Sequence, residues 1–368
     1  MRPSHLPVLD GLRAVAVLLV MWVHVPQVVP GYPEWLKFAS WLIGPGGLGV
    51  EIFFVLSGFL ITRILMAERE QGLPVRWFLL RRLLRIFPIY YLLLLVMLPQ
   101  RPAAEIGWCA LYLYNVKSIF WPQGGPLEHT WSLCIEEHFY LLWPLVVAFA
   151  KPGRAGRVLA FGVMPLAIVG ALLVCLFVDA DIGERAVPHG SPFRFLSLGA
   201  GSLLAFRETW LRARPRQATQ LALGLLAAAI VLHPHVWFLL GPLEVGPIWS
   251  DTKEWLPRSL APFVVLVHSG ALCTGLVLLG VLAEQQRRSP LRVLTARPLR
   301  AIGRISYALY LYHLPIYFAL VVPEPTAARA WLSILLSFIA ATVSYFAVER
   351  PLQRFGARFR GAARAQAR

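Results

Sequence analysis

The chain has 368 residues, 58 % of them hydrophobic and only 15 % charged, with a mean hydropathy of +0.63. Such a composition excludes an ordinary water-soluble domain and points to a multi-pass membrane protein. The formal charge of +16 would favour a nucleic-acid partner in a soluble chain, but here the placement of the basic residues assigns it to membrane topology instead.

Apolar runs of about 20 residues, enough to cross ~30 Å of hydrocarbon, predict a bundle of ten transmembrane helices. They fall near 8–28, 44–66, 78–98, 130–150, 157–179, 192–207, 217–238, 260–283, 301–323 and 328–348. Ala104–Phe120 is apolar but short and interrupted by Asn115 and Lys117. It predicts a re-entrant or buried piece, whose backbone needs protein or water partners. With a cytoplasmic N-terminus, the inner side holds 26 of the 35 Lys and Arg and the outer side eight, Arg13 lying within a span. That skew satisfies the positive-inside rule and puts both termini in the cytoplasm. The expected organisation is one membrane domain over 1–352 and a basic cytoplasmic tail over 353–368, which touches anionic headgroups; nucleic acid has no place in it. The first run lacks a small-residue cleavage site and reads as an uncleaved helix. Cys109, Cys134, Cys175 and Cys273 sit in apolar contexts without CxxC spacing, so neither a disulfide framework nor a zinc site is expected.

An intramembrane charge costs ~2.5–3.5 kcal/mol at a helix centre on insertion scales, so each one asks for a reason. The first span, LDGLRAVAVLLVMWVH, carries Asp10, Arg13 and His24. Eleven helical residues return Arg13 and His24 to within about 20° of one face, roughly 16 Å apart along the axis, and Asp10 shares that face. A helix-end pair of Asp10 with Arg13 plus a lone histidine satisfied by a neighbouring helix would leave the same pattern. In the second span, Glu51 reads as an interfacial carboxylate or a functional one, and Ser57 lies nearby. Gly58 suggests close helix packing, and the cluster Gly44–Gly49 suggests close approach of a ligand.

RWFLLRRLLRIFPIYY brings Arg76, Arg81, Arg82 and Arg85 into the third span. Arg76 fits snorkelling at the interface. Arg82 and Arg85, one turn apart and inside the apolar run, fit an anionic ligand such as phosphate, whose oxygens guanidinium forks match. The densest constellation is EHTWSLCIEEHFYLLWP, with His129, Ser132, Glu136, Glu137 and His138. Adjacent carboxylates diverge on a helix, so at most one of Glu136 and Glu137 is expected at a central site. A His and Glu pair suits activation of a hydroxyl near neutral pH, and the spacing does not match HExxH zinc sites. Farther on come Arg194, His268, which reads as a core histidine, and Tyr307, Tyr310 and His313 in GRISYALYLYHLP.

Taken together, LDGLRAVAVLLVMWVH, GGLGVEIFFVLSGFLI, RRLLRIFP, HTWSLCIEEHFYLLWP and RISYALYLYHLP, in this order from Leu9 to Pro351, resemble the membrane-bound acyltransferase 3 family. These are bacterial inner-membrane enzymes that O-acylate carbohydrates of lipopolysaccharide, exopolysaccharide, peptidoglycan and other products. The resemblance implies transfer of an acyl group, commonly acetyl, from cytoplasmic acyl-CoA to a hydroxyl of an extracytoplasmic carbohydrate or glycolipid. No permanently bound cofactor is expected. It carries the Arg-x10-His pair onto Arg13 and His24, the phosphate-binding arginines onto Arg82 and Arg85, and the motif carboxylate onto Glu136 or Glu137. His138 stands where the family commonly has Gln.

On this expectation His24 takes the acceptor proton, Glu136 or Glu137 fixes its tautomer, and Asp10 positions Arg13. Ser57, Ser132, Tyr307 and His313 support or bind substrate. A transiently acylated His24 is the rival mechanism. The rival class is a proton-coupled sugar or small-molecule exporter built on the same buried charges, against which stands the absence of a second Arg-x10-His segment in the other half.

Overall fold

The computed structural model describes residues 5–24, 47–151, 153–232, 260–286 and 288–366, with side chains through 359. Every regular element among them is helical, as a chain in hydrocarbon requires unless it closes a barrel. The elements used below are α1 (Pro7–His24), α2 (Gly47–Arg69), α3 (Val75–Met97), α4 (Ala103–Ala110), α5 (Tyr114–Phe120), α6 (Thr130–Phe149), α7 (Arg154–Phe177), α8 (Ala180–His189), α9 (Ser191–Phe206), α10 (Glu208–Ala213), α11 (Pro215–Leu232), α12 (Ala261–Ala283), α13 (Arg297–Leu320), α14 (Ala327–Ser344) and α15 (Arg350–Gln366). A π-helical turn, Tyr345–Glu349, joins the last two into one rod, so the residue 352 boundary falls inside a helix.

Seven of the described helices are long and apolar enough to cross a membrane by length and composition. They are α1, α2, α6, α7, α11, α12 and the rod beginning at Ala327. The other three expected segments are also helical. α9 has only 16 residues, α3 carries four arginines, and α13 opens on Arg297, Arg300 and Arg304 and is rich in Tyr. The expected re-entrant piece forms two short helices, α4 and α5, that pack on each other and on α3 and α6. The outer segment 239–259 and residues 44–46 of the glycine cluster lie outside the described residues.

α1 is the axial element, packed against α2, α12 and α13. It runs parallel to α13, with Asp10 beside Gly303 at one end and His24 beside His313 at the other. A Cβ at Gly303 would sit 1.9 Å from the Asp10 carbonyl oxygen, so only glycine permits this approach. α2 and α9 cross just as closely, where Gly58 and Gly201 each meet the other helix's backbone. Close backbone contact through small residues is how helices associate in lipid, where no hydrophobic force drives them together. By contrast α7, α11 and the Ala327 rod are about one fifth buried over their apolar windows, against half or more for α1, α2, α6 and α12. The cavity described below draws no residue from α7, α11 or the Ala327 rod.

Candidate functional site

The α1, α2, α3, α6 and α13 helices enclose a cavity of about 370 Å³. Arg13 and Asp10 reach it from α1, Ser57 from α2, and Arg82 and Arg85 from α3. The α6 helix adds Ser132, Glu136 and Glu137, and α13 adds Tyr307. Nine of the eleven residues singled out from sequence thus share one lining.

The three arginines define its character. None has an ion-pair partner within 4 Å among the described residues, although Arg63 beside them pairs with Glu208 at 2.6 Å and Arg81 with Glu68 at 2.5 Å. Arg82 lies over the rings of Phe78 and Tyr140, at 5.7 and 5.1 Å. A guanidinium held by aromatic faces, as that of Arg82 is, keeps its N–H fork free for an anion.

Both carboxylates of the Glu136–Glu137 pair line the cavity, which corrects the expectation that at most one would. Ser132, Leu133, Glu136, Glu137 and Tyr140 form one broad stripe of α6, and a cavity along that stripe takes both carboxylates. Their surroundings still differ. Glu136 accepts from the Ser57 hydroxyl at 2.6 Å, and Ser57 in turn accepts from the Tyr140 hydroxyl at 2.9 Å. Glu137 has no described hydrogen bond and is coupled electrostatically to Glu136 and Arg82.

Asp10 is not in contact with Arg13. It pairs with His5 at 2.9 Å and acts on Arg13 only through the field. The i to i+3 spacing brings the two near, but His5, outside the helix, makes the contact instead.

His24 and His313 do not line the cavity. Their rings lie 5.1 Å apart at the far ends of α1 and α13, and His129 completes the group with its ring 5.3 Å from His313. The His24 Nδ1 faces the Val20 carbonyl at 2.8 Å. A carbonyl only accepts, so Nδ1 carries the hydrogen and Nε2 is left with its lone pair. The tautomer is therefore fixed by backbone of the same helix and not by Glu136 or Glu137, which corrects the sequence expectation; Glu136 is engaged with Ser57 instead.

Tyr310 joins the two regions. It lines the cavity, its hydroxyl lies 2.6 Å from the Ser132 Oγ and donates to the His129 carbonyl at 2.9 Å, and its ring is 5.4 Å from that of His129. Tyr310 and Tyr140 carry no site role on sequence grounds, and His129 enters there only as a member of the His and Glu constellation of EHTWSLCIEEHFYLLWP. The signal was present for α13, where 306, 310, 313 and 317 fall on one face, and Ser306 there lines the cavity with a buried hydroxyl that has no described partner.

Outside both regions, Arg194 donates to Glu51 at 2.6 Å and to the Pro188 carbonyl at 2.8 Å, while Ser197 also donates to Glu51. Glu51 is thus the centre of a buried α2–α9 strut and not an interfacial group. His268 meets the Ala229 carbonyl at 2.7 Å, between α11 and α12. His138 meets Ser191 at 2.7 Å. Neither joins the cavity.

The acyltransferase domain family matches residues 6–349. The peptidoglycan O-acetyltransferase OatA of Listeria monocytogenes is 29 % identical over 96 % of this chain and 56 % of its own length. The O-acetyltransferase OatA of Staphylococcus aureus is 29 % identical over 96 % of this chain and 58 % of its own. The chain therefore spans a little over half the length of these relatives. No solved structure matches it significantly. With five ordered motifs, a buried arginine cavity among packed membrane helices and a family match over nearly its whole length, the chain belongs to the acyltransferase 3 family.

Proposed function

We propose that the protein is a membrane O-acyltransferase that moves an acyl group, acetyl by analogy with its relatives, from acyl-CoA to a carbohydrate hydroxyl beyond the membrane. The observation that carries this reading is the cavity holding Arg13, Arg82 and Arg85 without paired carboxylates. None of the three is in ion-pair contact with Asp10, Glu136 or Glu137, which share the lining, so their guanidinium donors are open to an anion, and the phosphates of acyl-CoA supply one. The positive-inside skew supports donor access from the cytoplasm across a bacterial inner membrane. The relatives' names support a cell-wall glycan such as peptidoglycan as the acceptor class.

In the reaction, the His24 Nε2 lone pair takes the proton of the acceptor hydroxyl while that oxygen bonds to the acyl carbon. The carbon–sulfur bond then breaks, and the imidazolium returns its proton to the departing thiolate. The pantetheine arm spans the roughly 16 Å from Arg13 to His24, passing Tyr310. Glu136 and Glu137 balance the arginines, and Ser57 and Tyr140 hold Glu136 in place. An exporter built on these charges is not favoured, since the family match is to acyltransferases.

The test uses the full chain in vesicles loaded with peptidoglycan disaccharide and supplied outside with acetyl-CoA. Free CoA is expected only when the disaccharide is present. Disaccharide flux with no CoA release would overturn the reading in favour of transport.

A further inference from the structure

The three imidazoles at the far end of α1 are held alike. His24 Nδ1 faces the Val20 carbonyl at 2.8 Å, His313 Nδ1 the Tyr310 carbonyl at 2.6 Å, and His129 Nε2 the Leu311 carbonyl at 3.0 Å. Each of those nitrogens must donate, so the second nitrogen of every ring carries a lone pair. The His313 Nε2 and the His129 Nδ1 are both buried and neither has a partner in hydrogen-bond geometry among the described residues, with the Pro126 carbonyl a further neighbour of His129.

Buried lone pairs without a donor are unfavourable, and a group of them calls for an explanation. A metal ion is one remedy, but the described His, Cys, Asp and Glu side chains nowhere converge as three ligands. A sugar hydroxyl is another. His129 and His313 are only 3 % and 2 % exposed, which closes them to a sugar. A proton needs no room, and the His24 ring, against His313, is the more open of the three.

We propose that His313 is a positioning residue that shares the proton taken up by His24, with His129 packed behind it. This rests on the acyltransferase reading. When the acceptor O–H bond breaks, its proton passes to His24 Nε2, and the new N–H turns to the His313 lone pair. The charge-assisted N–H···N bond holds the imidazolium where no described carboxylate pairs with it. After the carbon–sulfur bond breaks, the same proton goes to the thiolate, and both rings return to neutral. His313 thereby fills the stabilising role that the sequence assigns to Glu136 or Glu137. His129, braced on the Leu311 carbonyl with its ring edge-on to His313, keeps the His313 ring in place.

The experiment measures acetyl-CoA turnover with peptidoglycan disaccharide in vesicles, in H2O and D2O. H313N retains a donor for the Tyr310 carbonyl and removes the outer lone pair. It is expected to lower kcat about ten- to a hundredfold, to leave both KM values within about twofold, and to change the solvent isotope effect on kcat. H313Q reaches farther but takes no proton, and is expected to be equally impaired. An unaltered kcat or isotope effect in H313N, recovery in H313Q, or a loss confined to the KM of the disaccharide overturns the proposal. H129N, should H313N fail to fold, is expected to show the same isotope signature with a smaller loss, and a wild-type isotope effect in it overturns the proposal equally. A wild type that releases no CoA overturns the acyltransferase reading itself, whereas an active wild type with an unaffected H313N overturns only the sharing of the proton.

Discussion

The two ends of α1 solve opposite problems with the same helix. At the Arg13 end, cations line a cavity of about 370 Å³ and lack paired carboxylates. At the His24 end, neutral rings are packed tightly, each N–H tied to a backbone carbonyl and each lone pair left over. The first region holds guanidiniums that no carboxylate of the lining pairs with directly, and has room for a ligand. The second is short of a proton and has none. On the proposed mechanism, with donor binding at one end and proton transfer at the other, substitutions at the two ends are expected to fall on different kinetic constants.

The largest effect is expected at the proton-poor end. On the proposed mechanism His24→Ala removes the base, and transfer should fall on the order of 10²–10⁴, with KM for acetyl-CoA little changed. Acceptor-dependent CoA release in reconstituted vesicles measures it, alongside monodisperse elution to show that the variant folds. Near-normal turnover would remove the distinction between the ends altogether.

Next comes a substitution that belongs to neither end. Arg194→Met leaves the Glu51 carboxylate buried without its cation between α2 and α9. Breaking one partner of a buried pair costs ~3–5 kcal/mol. The melting temperature in detergent should drop sharply, and the paired change Glu51→Met with Arg194→Met should recover much of it. If instead stability holds and donor KM rises, the strut is part of the binding end and the boundary between the regions must be redrawn.

At the arginine end, Arg82→Gln and Arg85→Gln are each expected to raise KM for acetyl-CoA about tenfold, with a lesser effect on kcat. Because the two share a face one turn apart, their effects should not add. The wild-type KM should also rise with ionic strength more than that of either variant. A loss confined to kcat would mean that the arginines serve the chemistry and not the donor's phosphates.

Which of these features the sequence reveals depends on whether they lie within one helix or between two. The Arg13 to His24 register is a property of helical periodicity, and so is the sharing of a face by Arg82 and Arg85; both are legible from spacing. Gly58 likewise announces a close crossing. Contacts between distant segments leave no such trace. Nothing local tells that His313 meets His24, that His129 meets His313 across 184 positions, or that Arg194 reaches Glu51 across 143 positions. A catalytic histidine usually has an acidic partner, which points from sequence to Glu136 or Glu137. The carbonyl four residues back on the same helix, Val20, was available to any histidine there and carries no sequence signature.

The smallest effect is expected at Asp10, and it bears on how far the field at the arginine end matters. Asp10 is paired with His5, which is 62 % exposed, so the contact itself contributes under ~1 kcal/mol. Its remaining action is electrostatic, since it stands in the cavity lining and opposes the charge of Arg13. Asp10→Asn keeps the shape and removes that opposition. Stability should be nearly unchanged, and KM for acetyl-CoA should fall by about twofold, because an anionic donor then meets a more positive lining. A rise in KM would instead make Asp10 a residue that positions Arg13, as the three-residue spacing suggests. The sign of this shift, more than its size, distinguishes a helix that merely carries its charges to the cavity from one that arranges them there.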